Sequence, residues 1–259
     1  MNVALAFSIA VSGKGGTGKT TIAGLIIRLL SERTNKTILA IDADPNANLN
    51  EVLGVPVSKA VGDIREELLK IKDQLSPGIS KEEYLNYTIQ QALTETKHFD
   101  LLVMGRPEGP GCYCYVNSVL RKLVDRLSDK YDIVVMDAEA GLEHFSRRTT
   151  KDVDVLLITT DPTSRGIMTA KRVKKLIQEL HTKVRYMYVI ANRTPQSLAP
   201  LLKKEIEEAG LELIGTVPED PKVLEYDLQG KPLVELPESS EAVRAVAQIL
   251  QKIPFPFQI

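Results

Sequence analysis

An apolar run over residues 3–12 feeds directly into GKGGTGKTT at residues 13–21. Gly13, Lys14, Gly15, Gly16, Thr17, Gly18, Lys19 and Thr20 satisfy the pattern G-x-x-x-x-G-K-[ST], and Thr21 follows. Glycines at these positions let backbone N–H groups converge on phosphate oxygens, and the helix that follows presents its positive end to them. Lys19 is placed to reach the β and γ phosphates, and Thr20 to offer a hydroxyl to Mg²⁺. Such a loop needs a buried strand before it and a helix after it. The segment therefore points to an α/β nucleotide-binding fold with ATP or ADP and Mg²⁺ as cofactors.

The rest of the chain agrees. Short β-branched runs alternate with helical spacing from end to end, the pattern of parallel strands joined by crossover helices. Strands are predicted near 3–12, 37–42, 98–104, 131–137, 153–160, 184–191 and 211–217. Helices are predicted over 19–33, 62–72, 80–95, 115–129, 163–180, 198–209, 219–228 and 239–252. Residues 46–97 make a long connection expected to carry small surface helices. With 259 residues, 43% of them hydrophobic, and no repeat or linker-like tract, the economical reading is one domain spanning 1–259. The fold class expected is a single-domain P-loop NTPase fold, with a mostly parallel central sheet and helices on both faces.

Charge and hydropathy narrow the partners. Lysine plus arginine (33) nearly balances aspartate plus glutamate (34), so no overall field draws the chain to nucleic acid or an anionic membrane. The apolar opening lacks a basic n-region and a cleavage site, and no run approaches the roughly 20 residues that cross a bilayer. A cytoplasmic protein is expected, in which closely spaced thiols suggest metal or redox chemistry.

Other candidate site residues fall at predicted strand ends, where sites of parallel sheets assemble. AIDADPN places Asp42 and Asp44 two residues apart, on one face of an extended chain. YDIVVMDAEAG is an apolar strand ending in Asp137, suited to hold Mg²⁺ through water, and Gly141 frees the turn after it. VIANRTP ends in Asn192 and Arg193, and IGTVPEDPKV carries Pro218, Glu219 and Asp220. These last segments are either ordinary turns or contacts to a base. Lys14 is either a solvated loop lysine or a residue that reaches a nucleotide held by another subunit.

GKGGTGKTT resembles the deviant Walker A motif of the MinD/ParA/nitrogenase iron protein-like ATPases, and the resemblance runs through nearly the whole chain. It implies that Lys14 crosses a nucleotide-sandwich homodimer and that Asp44 positions the attacking water. It also implies that Asn192, Arg193 and backbone near Pro218 and Asp220 hold adenine. Asn48 stands where the iron protein has an aspartate, so a Mg²⁺ contact is not carried to it.

The two cysteines of the chain, Cys112 and Cys114, lie in GPGCYCYVNSVL before a predicted helix. A helix start favours thiolate, and two thiolates supply half of a tetrahedral site that a two-fold axis would complete. The alternative is two small residues packed at a helix start. His98, His144 and His181 show no ligand spacing with them. GCYC together with DAEAGLEHFSR resembles the CooC-type ATPases that aid nickel insertion into carbon monoxide dehydrogenase, with a close relative serving acetyl-CoA synthase. That likeness implies a Ni²⁺ or Zn²⁺ site shared by Cys112 and Cys114 across the dimer, with His144 inside the second switch. It makes an ATP-hydrolysing metallochaperone the first expectation, with one of those nickel enzymes as client and neither nucleic acid nor membrane as partner. A positioning ATPase would call for a basic tail, whereas SSEAVRAVAQILQKIPFPFQI carries only Arg244 and Lys252 as cations and reads as a packing helix. An iron-sulfur reductase is the third expectation, disfavoured because the cluster cysteines of the iron protein come from two separate loops.

Overall fold

β1 (Phe7–Gly13) lies inside an eight-stranded sheet, hydrogen-bonded in parallel to β5 (Ile133–Asp137) on one side and to β6 (Val153–Thr160) on the other. The computed structural model describes residues 6–44, 46, 48–70, 81–105, 124–138, 153–179 and 183–259. Cys112, Tyr113, Cys114, Gly141, His144 and His181 lie outside the described residues, as does Pro45. With β2 (Ile38–Asp42), β3 (Thr94–Glu95), β4 (Asp100–Val103), β7 (Val184–Asn192) and β8 (Leu213–Val217), the sheet order is β3-β4-β2-β5-β1-β6-β7-β8. Each pairing is parallel except that of the two-residue β3 with β4.

A strand buried on both faces reads as a continuous apolar run, and β1 shows why. Phe7, Ile9 and Val11 enter one core with α1 (Lys19–Arg33), α2 (Leu49–Leu53) and α8 (Glu241–Leu250). Ala10 faces a second core, built with α3 (Val61–Lys70), α4 (Lys81–Ala92), helical residues 124–128, α5 (Ser164–Glu179) and α6 (Ala199–Glu208). Helices thus cover both faces, as expected. The remaining α-helix among the described residues, α7 (Pro221–Leu228), follows β8 and is capped by Asp220, whose side chain accepts from the Lys222 N–H.

The elements depart from the sequence-based bounds where local chemistry intervenes. The helix predicted over 80–95 stops at Ala92, because Thr94 and Glu95 pair antiparallel with Leu101 and Asp100. Those predicted to begin at 219 and 239 start at Pro221 and Glu241, after the N-cap residues Asp220 and Ser240. In the long connection, α2 is no mere surface turn: Leu49 and Leu53 are buried. Beyond α8, Phe255 and Phe257 pack on Phe7 with ring centroids 5.1 and 6.2 Å away, at the end of β1 opposite the glycine loop. Among the described residues no helix is long and apolar enough to cross a membrane.

α1 is buried over most of its circumference, which its run of aliphatic residues requires. It approaches α2 so closely that a Cβ on Gly24 would lie 2.3 Å from Val52 Cγ1. Gly24→Ala therefore sets a helix-propensity gain of about 1 kcal/mol against overpacking of roughly 1–3 kcal/mol. Thermal unfolding of Gly24→Ala should show a lower midpoint than the parent, and Gly24→Ala with Val52→Ala should recover part of the loss.

Candidate functional site

The parallel register brings Gly13, Asp42, Asp137, Thr160, Asn192 and Val217 to the carboxyl edge of the sheet, where the chain connections diverge on either side of β1. The glycine loop is built against this edge. Gly13 has φ 148°, and a Cβ there would sit 2.2 Å from the Thr159 carbonyl oxygen. Gly18 has φ 84° and caps α1 without any side-chain hydrogen bond; a Cβ on it would lie 2.2 Å from Asn192 Nδ2. No acidic residue occupies the first turn of α1. Its N–H groups and dipole are thus left for an anionic ligand.

The end of β7 fixes the loop's orientation. Asn192 Nδ2 donates to the Thr17 carbonyl at 2.8 Å, Arg193 donates through its guanidinium to the Gly16 carbonyl, and the Arg193 N–H donates to Asn192 Oδ1 at 3.0 Å. In a trans peptide the C=O and the next N–H point in opposite directions. Holding the carbonyls of residues 16 and 17 outward aims the N–H groups of Thr17 and Gly18 the other way. Arg193 takes φ 49°, uncommon for a residue with a side chain. Inside the loop, Thr17 Oγ1 donates to the Lys14 carbonyl at 2.7 Å.

Lys19 is buried at 6% exposure, Thr20 is half-buried, and Lys14, Gly15 and Gly16 are exposed. Beside them stands Asp137, 1% exposed, with neither carboxylate oxygen hydrogen-bonded. Its pKa is raised to about 7, chiefly by burial, with the charges of Asp42 and Asp44 adding to the rise. The nearby Thr20 hydroxyl and Lys19 ammonium oppose it without cancelling it. Two orphaned carboxylate oxygens next to a threonine hydroxyl fit a hydrated divalent cation. Among the described residues, no group of three His, Cys, Asp or Glu side chains is placed to hold a metal on its own. Phosphate and water would complete the set.

Asp42 shapes the neighbouring loop. Its Oδ1 accepts from the Asp44 N–H and its Oδ2 from the Leu49 N–H, both at 3.0 Å. Asp44 is half-buried, with Oδ1 accepting from the Asn46 N–H at 2.9 Å. Sequence reasoning paired Asp42 with Asp44 but did not foresee this splint.

A cavity of 410 Å³ opens beside the loop, lined by Gly16, Gly18, Thr21, Asn192, Arg193 and the segment from Pro218 to Asp220. The residues expected to surround a base thus stand together. They do so with their polar groups partly committed: Asn192 holds Thr17, and the Asp220 carboxylate accepts from Ser240 Oγ at 2.5 Å and from the Ala242 N–H at 3.1 Å. Burial pushes the Asp220 pKa up, yet these bonds and that from Lys222 leave it below the usual carboxylate value. Asp220 faces the cavity as a structural cap. Thr159 was not anticipated at all, although ITTDP at a strand end carries two hydroxyls where a site forms.

A glycine loop between β1 and α1, with a buried carboxylate ending the adjacent strand, defines a P-loop nucleotide-binding protein. The model of the CobQ/CobB/MinD/ParA nucleotide binding domain matches residues 8–233, and the chain belongs to that family of ATPases. It is 52% identical over 247 residues to an uncharacterized ATP-binding protein of Methanocaldococcus jannaschii, covering 95% of this chain and 97% of that one. It is 32% identical over 265 residues to the carbon monoxide dehydrogenase accessory protein CooC of Rhodospirillum rubrum, covering 95% and 97%. Among solved structures, a ParA family ATPase from Chlorobium tepidum superposes with a TM-score of 0.70 at 21% identity, covering 95% and 98%. That likeness is one of fold.

The Asp137 pKa sets a pH dependence. Its value in the fold, about 7, lies above the ordinary 3.8, so the folded chain binds a proton that the unfolded chain releases. The stabilisation from that proton is present at low pH and is lost as pH rises through 7. Asp137→Asn should therefore raise the melting temperature of the nucleotide-free protein at pH 8, by about 4 °C or more, and by less at pH 5. The same variant should lose Mg²⁺-dependent hydrolysis at both values.

Proposed function

We propose that this chain is an ATP-hydrolysing metallochaperone that works as a homodimer in the cytoplasm. Mg²⁺ is held by Thr20 and, through water, by Asp137; Lys19 binds the β and γ phosphates, and Asp44 orients the attacking water. Lys14 reaches the nucleotide of the partner subunit, where its charge offsets that developing in phosphoryl transfer. Asn192, Arg193 and the Pro218–Asp220 backbone enclose adenine in the 410 Å³ cavity. Cys112 and Cys114 from each chain hold one Ni²⁺ or Zn²⁺ as cargo, and the client is a nickel-containing carbon monoxide dehydrogenase or the related acetyl-CoA synthase.

The observation that carries the metal-handling half is the Cys112/Cys114 pair, two thiols one residue apart in a chain alike along its length to a carbon monoxide dehydrogenase accessory protein. Soft thiolate ligands suit these ions, and a two-fold axis doubles two donors to four. The family also includes MinD and ParA, which supports a positioning ATPase as a second reading. Against it stands α8, whose apolar residues Ala242, Val243, Val246, Ile249 and Leu250 are buried in the core, leaving that face unavailable to a bilayer.

Metal titration with size measurement separates these readings. The parent should bind one Ni²⁺ or Zn²⁺ per two chains. Cys112→Ala with Cys114→Ala should weaken that binding at least about 10-fold, with ADP affinity retained. Equal affinity in parent and variant would sink the metallochaperone reading, and ATP-dependent sedimentation with liposomes or DNA would favour the second. A brown, oxygen-sensitive protein would indicate an iron-sulfur cluster instead.

A further inference from the structure

Thr159, on β6, is the residue against which the Lys14 segment is built. It pairs in register with Gly13, and its Oγ1 lies 2.7 Å from where a Gly13 Cβ would be. That hydroxyl donates to the Ser12 carbonyl at 3.1 Å and lies 3.1 Å from Thr17 Oγ1. Thr17 Oγ1 is in turn 2.7 Å from the Lys14 carbonyl, which its N–H also reaches, at 3.3 Å. Thr159 and Thr17 are 1% and 3% exposed, so water does not readily substitute for either partner.

These contacts cannot all be satisfied together. The two hydroxyls carry one hydrogen each, and three hydroxyl contacts compete for them: Thr17 with Lys14, Thr17 with Thr159, and Thr159 with Ser12. Lys14 can be gripped by the Thr17 hydroxyl, which leaves the Thr159 hydrogen to point at Thr17 or at Ser12. Alternatively Thr17 donates to Thr159, Thr159 donates to Ser12, and the Lys14 carbonyl retains only the longer N–H contact. The second arrangement leaves the Lys14 carbonyl on the longer N–H contact alone and so loosens the peptide that carries the Lys14 side chain, while both buried hydroxyls donate in either arrangement.

We propose that Thr159 is a positioning residue for Lys14: by offering Thr17 an alternative acceptor, it lets the loop switch the Lys14 peptide between gripped and released settings. The proposal rests on the reading of Lys14 as the lysine that reaches the partner's nucleotide. Thr159→Val keeps the shape of the side chain, removes the alternative acceptor and leaves Lys14 gripped. Thr159→Ser restores the acceptor.

The test compares ATP hydrolysis and ADP affinity in the full chain for Thr159→Val, Thr159→Ser, Lys14→Ala and Lys14→Ala with Thr159→Val. Thr159→Val should lower kcat about 10-fold, the effect of about 1.4 kcal/mol in the transition state, with ADP affinity within about 2-fold of the parent. Thr159→Ser should recover most of the rate. In the Lys14→Ala background, Thr159→Val should change kcat less than about 2-fold, since a residue acting through Lys14 has nothing left to act on. If Lys14→Ala hydrolyses ATP at the parent rate, the underlying reading of Lys14 is what fails. If Lys14→Ala is slow and Thr159→Val is not, the proposal is overturned. Additive losses in the double variant, failure of serine to rescue, or a fall in ADP affinity that tracks kcat would overturn it equally. Should Thr159→Val fold poorly, Thr159→Ala makes the same comparison.

Discussion

The site depends on the parallel alignment of β1 between β5 and β6, with Val11 opposite Asp137 and Gly13 opposite Thr159. Side chains alternate along a strand, so a slip of one residue would exchange the two cores and move both neighbours of the loop. The aliphatic content of β1 excludes that slip: Ile9 and Val11 lie among α1 and α8, while Ala10 faces the opposite core. The positions of the orphaned carboxylate and the buried hydroxyl pair thus follow from packing that itself has no chemistry.

The cost of that arrangement falls on Asp137. A buried carboxylate that the nearby Thr20 hydroxyl and Lys19 ammonium compensate only in part opposes folding in the absence of ligand, and its raised pKa expresses the same penalty as a proton affinity. Lys19 offsets part of it, being itself buried and of opposite charge. A cation would reverse the sign, since an uncompensated negative group becomes a ligand.

Much of this was legible in the sequence, and the unevenness has physical causes. Strand and helix type could be read because β1, β2, β5 and β6 are near-continuous apolar runs and the helices keep three- and four-residue spacing. The loop could be read because its glycines and its lysine follow from phosphate geometry. Asp42, Asp137, Asn192 and the Pro218–Asp220 segment were found as strand ends, though what their side chains grip was not. Asn192 holds a carbonyl 175 positions away, and Asp220 accepts from the Ala242 N–H in the first turn of a helix whose N-cap is Ser240. No local pattern encodes such partners. Thr159 escaped for the same reason, because its relation to Thr17 exists only once β6 lies beside β1.

The links between the two ends of the nucleotide site are of this non-local kind. Asp42 splints Asp44 and Leu49, and Leu49 opens α2, which meets α1 at Gly24. Past α2, a Cβ on Gly54 would sit 2.5 Å from Pro232 Cγ, and Leu233 lines the cavity beside Asn192. A cation that drew the Asp42 carboxylate toward Asp137 would pull on the Asp44 and Leu49 N–H groups that this carboxylate holds. Packed elements answer such a change by moving as bodies, because interiors near crystal density leave little room for local relaxation. A displacement of α2 would therefore be felt at the rim of the cavity, which links Asp42 to that cavity by a route that does not pass through the glycine loop.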